Sequence, residues 1–256
     1  MKNKIGWCNT TWNPVWGCRN NCEYCYARVI AKRFRREMAE NECHYCWRNH
    51  IGTNPYTKRA FINCTEKIKN FIPIFLYSQF NKKLPKKPQR IFVGSMSEIA
   101  HWEAKWVNEV IFKIFEYPQH IFQILTRYPE IYCKWDFPEN CWLGVTITKK
   151  EDFMKNDDNW EYFFNEGKEI HFFSFEPLLE PVDIDYLNCS NIDWVIIGAE
   201  TGNRKGKVIP KWEWINDIVL YYKDKYIPIY LKDSLKEIYP IEIKEFPYLK
   251  GVRTNV

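Results

Sequence analysis

The 256-residue sequence lacks any long apolar run. No stretch approaches the roughly 18 apolar residues that a membrane-crossing helix needs, so a helical membrane protein is excluded. The opening residues, MKNKIGWCNTTW, contain no apolar signal core. Export is therefore not expected, and the protein is read as cytoplasmic. There is no low-complexity segment and no internal repeat. No Walker-type phosphate loop is present, and Gly198–Gly202 lacks the three-glycine spacing of a dinucleotide turn. Nucleotide hydrolysis and nicotinamide chemistry drop out with them. The five histidines are scattered, and no Ser-His-Asp order suggests a hydrolase.

What remains is rich in thiols and rings. Aromatics make up 18% of the chain, and there are ten cysteines. In a reducing compartment clustered cysteines are better read as metal ligands than as disulfides. The net charge of +5 permits an anionic partner such as nucleic acid but does not require one. The densest basic run, Lys32, Arg33, Arg35 and Arg36, reads as a solvated helix face.

From residue 90 onward, short apolar runs alternate with helix-like stretches. The runs are Arg90–Gly94, Ile121–Leu125, Cys141–Val145, Ile170–Phe173, Asp193–Ile197 and Ile227–Leu231. Helical patterns cover Glu103–Glu116 and Lys211–Lys225. This rhythm predicts βα units and a parallel sheet. An earlier strand is expected around Trp12–Trp16, followed by a helix over Tyr26–Ala39. Residues 40–88 break the pattern and are read as an insertion within one domain spanning 1–256. Polar residues recur just after the strands: Ser95, Ser97 and Glu98, then Arg127, Thr146, Thr148, Glu176 and Glu200. In parallel α/β folds the carboxyl edge is where sites are built. Ordinary hydration of strand ends is the competing explanation.

The densest chemical signal lies earlier. Cys18, Cys22 and Cys25 fall within eight residues, spaced C-x3-C-x2-C. A closed zinc site needs four ligands, so zinc would require a distant fourth such as Cys8, Cys43 or His44. A four-iron cluster on three thiolates leaves one iron open to substrate. Spacing alone leaves both readings standing.

The same three cysteines, with Tyr24 before the last, resemble the signature of the radical S-adenosylmethionine superfamily. Seven blocks, TWNPVWGC, CEYCYA, RIFVGSMSE, HIFQILTRYPE, WLGVTI, FEPLLEP and DWVIIGAETG, resemble in order those of the phage Gp37/Gp68 (three-Cys-motif, DUF5131-type) family. The chain departs from that family at Ala199 and Thr201, at Asp233 after Lys232, and at Cys8.

The resemblance implies an α/β fold, a partial (β/α) barrel of six or seven parallel strands with the cysteine-bearing insertion after its first βα unit. It implies a 4Fe–4S cluster on Cys18, Cys22 and Cys25 that cleaves S-adenosylmethionine to a 5′-deoxyadenosyl radical. Ser95, Ser97 and Glu98 would meet the cofactor's ammonium group, Arg127 its carboxylate, and Thr146 and Thr148 its ribose. Glu176 and Glu200 would hold ribose, ammonium or substrate, and Tyr24 would shield the cluster or pack near adenine. A reductant such as flavodoxin or ferredoxin, a nucleic acid or nucleoside substrate, and a protein partner are the implied partners. The alternative is a non-catalytic, metal-stabilised module binding nucleic acid or a protein.

Cys43 and Cys46 form a second C-x2-C, with Cys64 eighteen residues on and His44 and His50 nearby. This half-complete pattern allows a second metal site, zinc or iron–sulfur. Cys133, Cys141 and Cys189 are single and are expected to be core thiols.

Overall fold

The computed structural model describes residues 5–49, 58–154, 170–183 and 191–247. The chain forms two compact units, one containing Cys8–Thr126, the other Lys4–Trp7 and Arg127 onward.

In the first unit, β1 (Thr10–Trp12) pairs in parallel with β4 (Arg90–Val93), which pairs in parallel with β5 (Ile121–Thr126). The single strand expected around Trp12–Trp16 is interrupted at Asn13-Pro14. Proline has no N–H for a ladder, and the chain resumes as β2 (Val15–Trp16), antiparallel to β3 (Ile74–Phe75). Helix α1 runs Tyr26–Arg48, beyond the expected Ala39, because no glycine or proline interrupts it. Residue 40, the expected start of an insertion, therefore lies inside α1. The stretch continues with α2 (Lys58–Lys69), β3 and α3 (Tyr77–Phe80), residues 50–57 lying outside the described ones.

Small residues on α1 explain how these pieces pack. Ala27, Ala31 and Ala39 are buried with Trp16, Ile68, Phe71, Leu76 and Met96 in one apolar cluster. Cys18, Cys25 and Cys64 pack against its margin. Buried Glu42 bonds Tyr77 N–H at 2.6 Å and Ser78 N–H at 3.1 Å, tying α1 to the start of α3. Helix α4 (Ala104–Phe115) buries Val107, Val110, Ile111 and Ile114, an i, i+3, i+4, i+7 stripe.

In the second unit, β6 (Cys141–Thr146), β7 (Ile170–Phe175), β8 (Trp194–Ile197) and β9 (Ile229–Leu231) pair in parallel in that order. The last two begin later than the sequence suggests, β9 directly after Pro228. Short α5 (Lys150–Met154) follows β6, and α6 (Trp212–Asp224) buries Ile215, Ile218, Val219 and Tyr222. The aromatics fill the core: Trp7 meets Phe172 and Trp194 with ring centroids 6.3 Å from each, and Trp142 meets Trp194 edge-on at 5.5 Å. Three parallel strands in one unit and four in the other bear out the mixed α/β class.

Cys141 is fully buried, as expected of a core thiol. Cys133 is not: it is exposed, because the 3-10 turn Pro129–Lys134 turns Pro129 and Tyr132 inward instead. Cys189 lies outside the described residues.

Two tests of this packing follow. A Cβ on Gly144 would come within 2.2 Å of the fully buried Phe172 ring. Gly144→Ala should cost about 1–3 kcal/mol in urea unfolding; an unchanged midpoint would contradict this packing. His171 is 5% exposed. Burial pushes its imidazole down from 6.5 to about 4. The unfolded chain therefore takes up the proton first, and stability should fall as pH drops from about 6.5 to about 4. The loss is on the order of 3 kcal/mol. His171→Gln should flatten that slope, and an equal slope in parent and variant would rule out this origin.

Candidate metal and cofactor site

The cysteine trio sits on a loop whose two ends are anchored by different elements. Gly17 enters with φ of +100° and donates its N–H to Met96 O at 3.0 Å. Cys18 donates its N–H to Phe71 O, just past α2, at 2.9 Å. Cys25 closes the loop as the N-cap of α1, where its sulfur accepts the Arg28 N–H at 3.4 Å. Arg28 also reaches back to Asn20 O at 2.8 Å and lies over the Phe71 ring.

Two backbone N–H groups are thus aimed at sulfur: Arg28 at Cys25, and Asn20 at Cys18 from 3.3 Å. Burial nevertheless pushes the Cys18 thiol up to about 12, helped by the charges of Glu98, Cys25 and Cys22. Burial also raises Cys25. Without a cation the Cys18 and Cys25 thiols are held neutral. Among the described residues, no three His, Cys, Asp or Glu side chains already stand as a ready metal-holding group.

His101 is the residue that sequence reasoning missed. Its Nδ1 accepts the Arg19 N–H at 3.1 Å and lies 3.7 Å from Cys18 Sγ. Because Nδ1 already accepts the amide, the Cys18 thiol is the donor in the second contact. Burial and the Arg19 charge hold this imidazole below its usual range. The fourth ligands expected from the sequence fare differently. Cys43 and His44 lie on α1 eighteen residues or more beyond Cys25, about 27 Å along the helix, so they cannot join the trio. Cys8 is buried ahead of the amino end of β1.

The hydroxyls and carboxylate after β4 are brought beside this loop but are engaged. Gly17 bridges to Ser97, and Tyr26 Oη donates to Ser95 O at 2.8 Å. Ser95 Oγ bonds Asn13 Oδ1 at 3.0 Å, and Ser97 Oγ accepts Trp102 Nε1–H at 3.1 Å. Buried Glu98 uses Oε1 to accept Ala100 N–H at 3.3 Å and the Thr126 hydroxyl. Tyr24 is half-buried between Cys22 and Cys25.

In the second unit, the expected polar residues do stand at the carboxyl ends of β6, β7 and β8. Thr146 ends β6 half-buried. Arg127 pairs with Asp152 at 2.7 Å, and Asp152 also accepts the Thr148 hydroxyl at 2.7 Å and its N–H at 2.8 Å. Asp152 carried no motif that could have revealed it. Glu176 pairs with Lys232. Glu200 takes a two-pronged bond from Arg204 at 2.7 and 2.8 Å, which holds its carboxyl below the usual range.

The family model described as a protein of unknown function, DUF5131, matches residues 2–234. The chain belongs to the DUF5131 family. No curated protein matches the chain, and no solved structure does. The DUF5131 match covers the cysteine loop and all nine strands found among the described residues.

The close packing at Gly17 makes the loop testable. A Cβ there would come within 2.4 Å of Ile72 O and 2.9 Å of Phe71 O. Gly17→Ala should destabilise the protein by about 1–3 kcal/mol. It should also speed hydrogen exchange at the Cys18 amide, and unchanged exchange would refute the anchoring.

Proposed function

We propose that the protein is a radical S-adenosylmethionine enzyme in which Cys18, Cys22 and Cys25 hold a 4Fe–4S cluster. One observation carries the reading: three cysteines share one loop anchored at both ends, with backbone N–H groups already directed at two of the sulfurs. Such N–H groups stabilise anionic sulfur and help set a cluster's potential. The donor set is soft and three-fold, which fits a cluster with one open iron. When bound, the cluster supplies the electron that splits S-adenosylmethionine into methionine and a 5′-deoxyadenosyl radical able to take hydrogen from a substrate.

The chain's own part is to bind, orient and exclude water. The Trp16, Phe71 and Met96 cluster lines the inner side of the loop and keeps water from it. Glu98, whose charge is felt at Cys18, is the carboxylate suited to a cofactor ammonium group. Ser95 and Ser97 would add hydroxyl acceptors by exchanging their present partners. The mild positive charge favours an anionic substrate, a nucleoside or nucleic acid. The strong reductant this chemistry needs would come from a flavodoxin- or ferredoxin-class protein.

A second reading has one observation in its favour. His101 beside Cys18 supplies a fourth donor, and Cys3His is a closed structural zinc set. In that case the protein is a metal-stabilised binding module.

Anaerobic reconstitution with iron and sulfide, followed by dithionite and S-adenosylmethionine, separates the two. The enzyme reading expects a brown protein that forms 5′-deoxyadenosine and a Cys22→Ala variant that forms none. A colourless protein retaining one zinc, with no cluster assembled, would leave the module reading in its place.

A further inference from the structure

The first turns of helix α1 reverse the usual amphipathic arrangement. The buried face is built from alanines, Ala27, Ala31 and Ala39. The larger apolar residues face outward: Tyr26 is 45% exposed, Val29 61%, Ile30 38% and Phe34 44%. Tyr26, Ile30 and Phe34 recur every four residues and so form one stripe, with Val29 beside it. The Tyr26 hydroxyl is tied to Ser95 O, which fixes one end of the stripe in place.

Cations frame the stripe. Lys32, Arg33, Arg35 and Arg36 are all exposed, and no acid occurs between Tyr26 and Arg36. Arg33 lies on the same face, one turn from both Val29 and Ile30. Arg36 shares its charge with Glu40 at 2.9 Å, at the far edge. Aromatic and aliphatic side chains set among arginines match the make-up of a protein-docking patch. The positive rim selects a partner with a negative one. A nucleic acid would also meet the cations, but Val29 and Ile30 offer it neither a stacking plane nor a hydrogen bond.

The place of the patch narrows the partner further. Cys25 of the trio caps α1. Val29 to Phe34 lie beyond that cap by about 6–14 Å along the helix axis. A protein seated on the stripe therefore stands beside the cysteine loop. We infer that this face of α1 docks an acidic one-electron carrier protein. The inference rests on the reading of the trio as a cluster site. On docking, the carrier loses one electron and the cluster gains it; no atom moves, and no bond is made or broken.

The test uses the full chain, reconstituted anaerobically with iron and sulfide, and a flavodoxin of strongly negative net charge as the probe. Three double variants accompany the parent. Two alter the patch: Arg33→Glu with Arg36→Glu, and Val29→Ser with Ile30→Ser. The third, Lys82→Glu with Lys83→Glu, makes an equal charge change at exposed residues elsewhere. Calorimetric titration should give a parent Kd that weakens as salt rises. The two α1 variants should bind at least about tenfold more weakly, and the lysine variant within about twofold of the parent. Reduced flavodoxin should reduce the α1 variants at least about tenfold more slowly, while dithionite, which needs no docking, reduces parent and variants at equal rates.

Equal binding by parent and α1 variants would overturn the docking surface and leave the enzyme reading in place. So would the absence of binding by a parent that forms 5′-deoxyadenosine with dithionite. A single-stranded oligonucleotide that binds the parent through these residues while flavodoxin does not would overturn it in favour of nucleic acid. Self-association of the parent that Val29→Ser with Ile30→Ser abolishes would overturn it in favour of a second copy of the chain. A chain that assembles no cluster would overturn both readings, and that failure is seen before any flavodoxin is added.

Discussion

The Gly17 and Cys18 backbone amides hold the first unit's site in place. One reaches Met96 beyond β4, the other Phe71 beyond α2, at 3.0 and 2.9 Å. The chain passes so close to Phe71 and Ile72 that there is no room for a side chain at residue 17. The cost of that approach is backbone with φ of +100°, which glycine alone adopts without strain. The loop's first cysteine is therefore positioned by main-chain contacts and its last by the first turn of α1. Neither anchor depends on a metal.

The two units treat charge differently. In the second, carboxylates at the strand ends meet cations: Asp152 with Arg127, Glu176 with Lys232, Glu200 with Arg204. Each ion pair answers the desolvation of a partly buried carboxylate with a charged hydrogen bond. Among the described residues of the first unit, no cation bears on Cys18, and the Arg28 charge offsets only part of the effect of burial at Cys25. Burial and neighbouring negative charge hold Cys18 protonated, and the N–H groups aimed at Cys18 and Cys25 offset only part of that. A soft cation is the species that would reverse the balance, since thiolate ligation releases the protons.

Much of this was legible from local pattern. Apolar runs such as Ile121–Leu125 and Cys141–Val145 are strands because they are buried on both faces, which leaves a near-continuous apolar signature. Strand ends move where the chain loses a donor, as at Pro14 and Pro228. Helix α1 outran its expected end because an uninterrupted helix former has no local stop signal. Cys133 was misread because exposure within one 3-10 turn depends on which of its neighbours the core takes.

Sequence by itself determined what rests on neighbours in the chain: alternating α and β elements, the strand-end hydroxyls and carboxylates, and three thiols gathered by C-x3-C-x2-C. Only the tertiary structure decided which distant groups those residues meet. His101 lies beside Cys18 across 83 positions, Asp152 holds Arg127 across 25, and Glu42 caps Ser78 across 36. It also gave the Cys46 thiol a carboxylate partner in Glu42, 3.5 Å away. The reason is physical: spacing controls contacts within a turn or two of chain. Which side chain satisfies a buried donor or charge depends on how separate elements pack, and that packing leaves no local mark in the sequence.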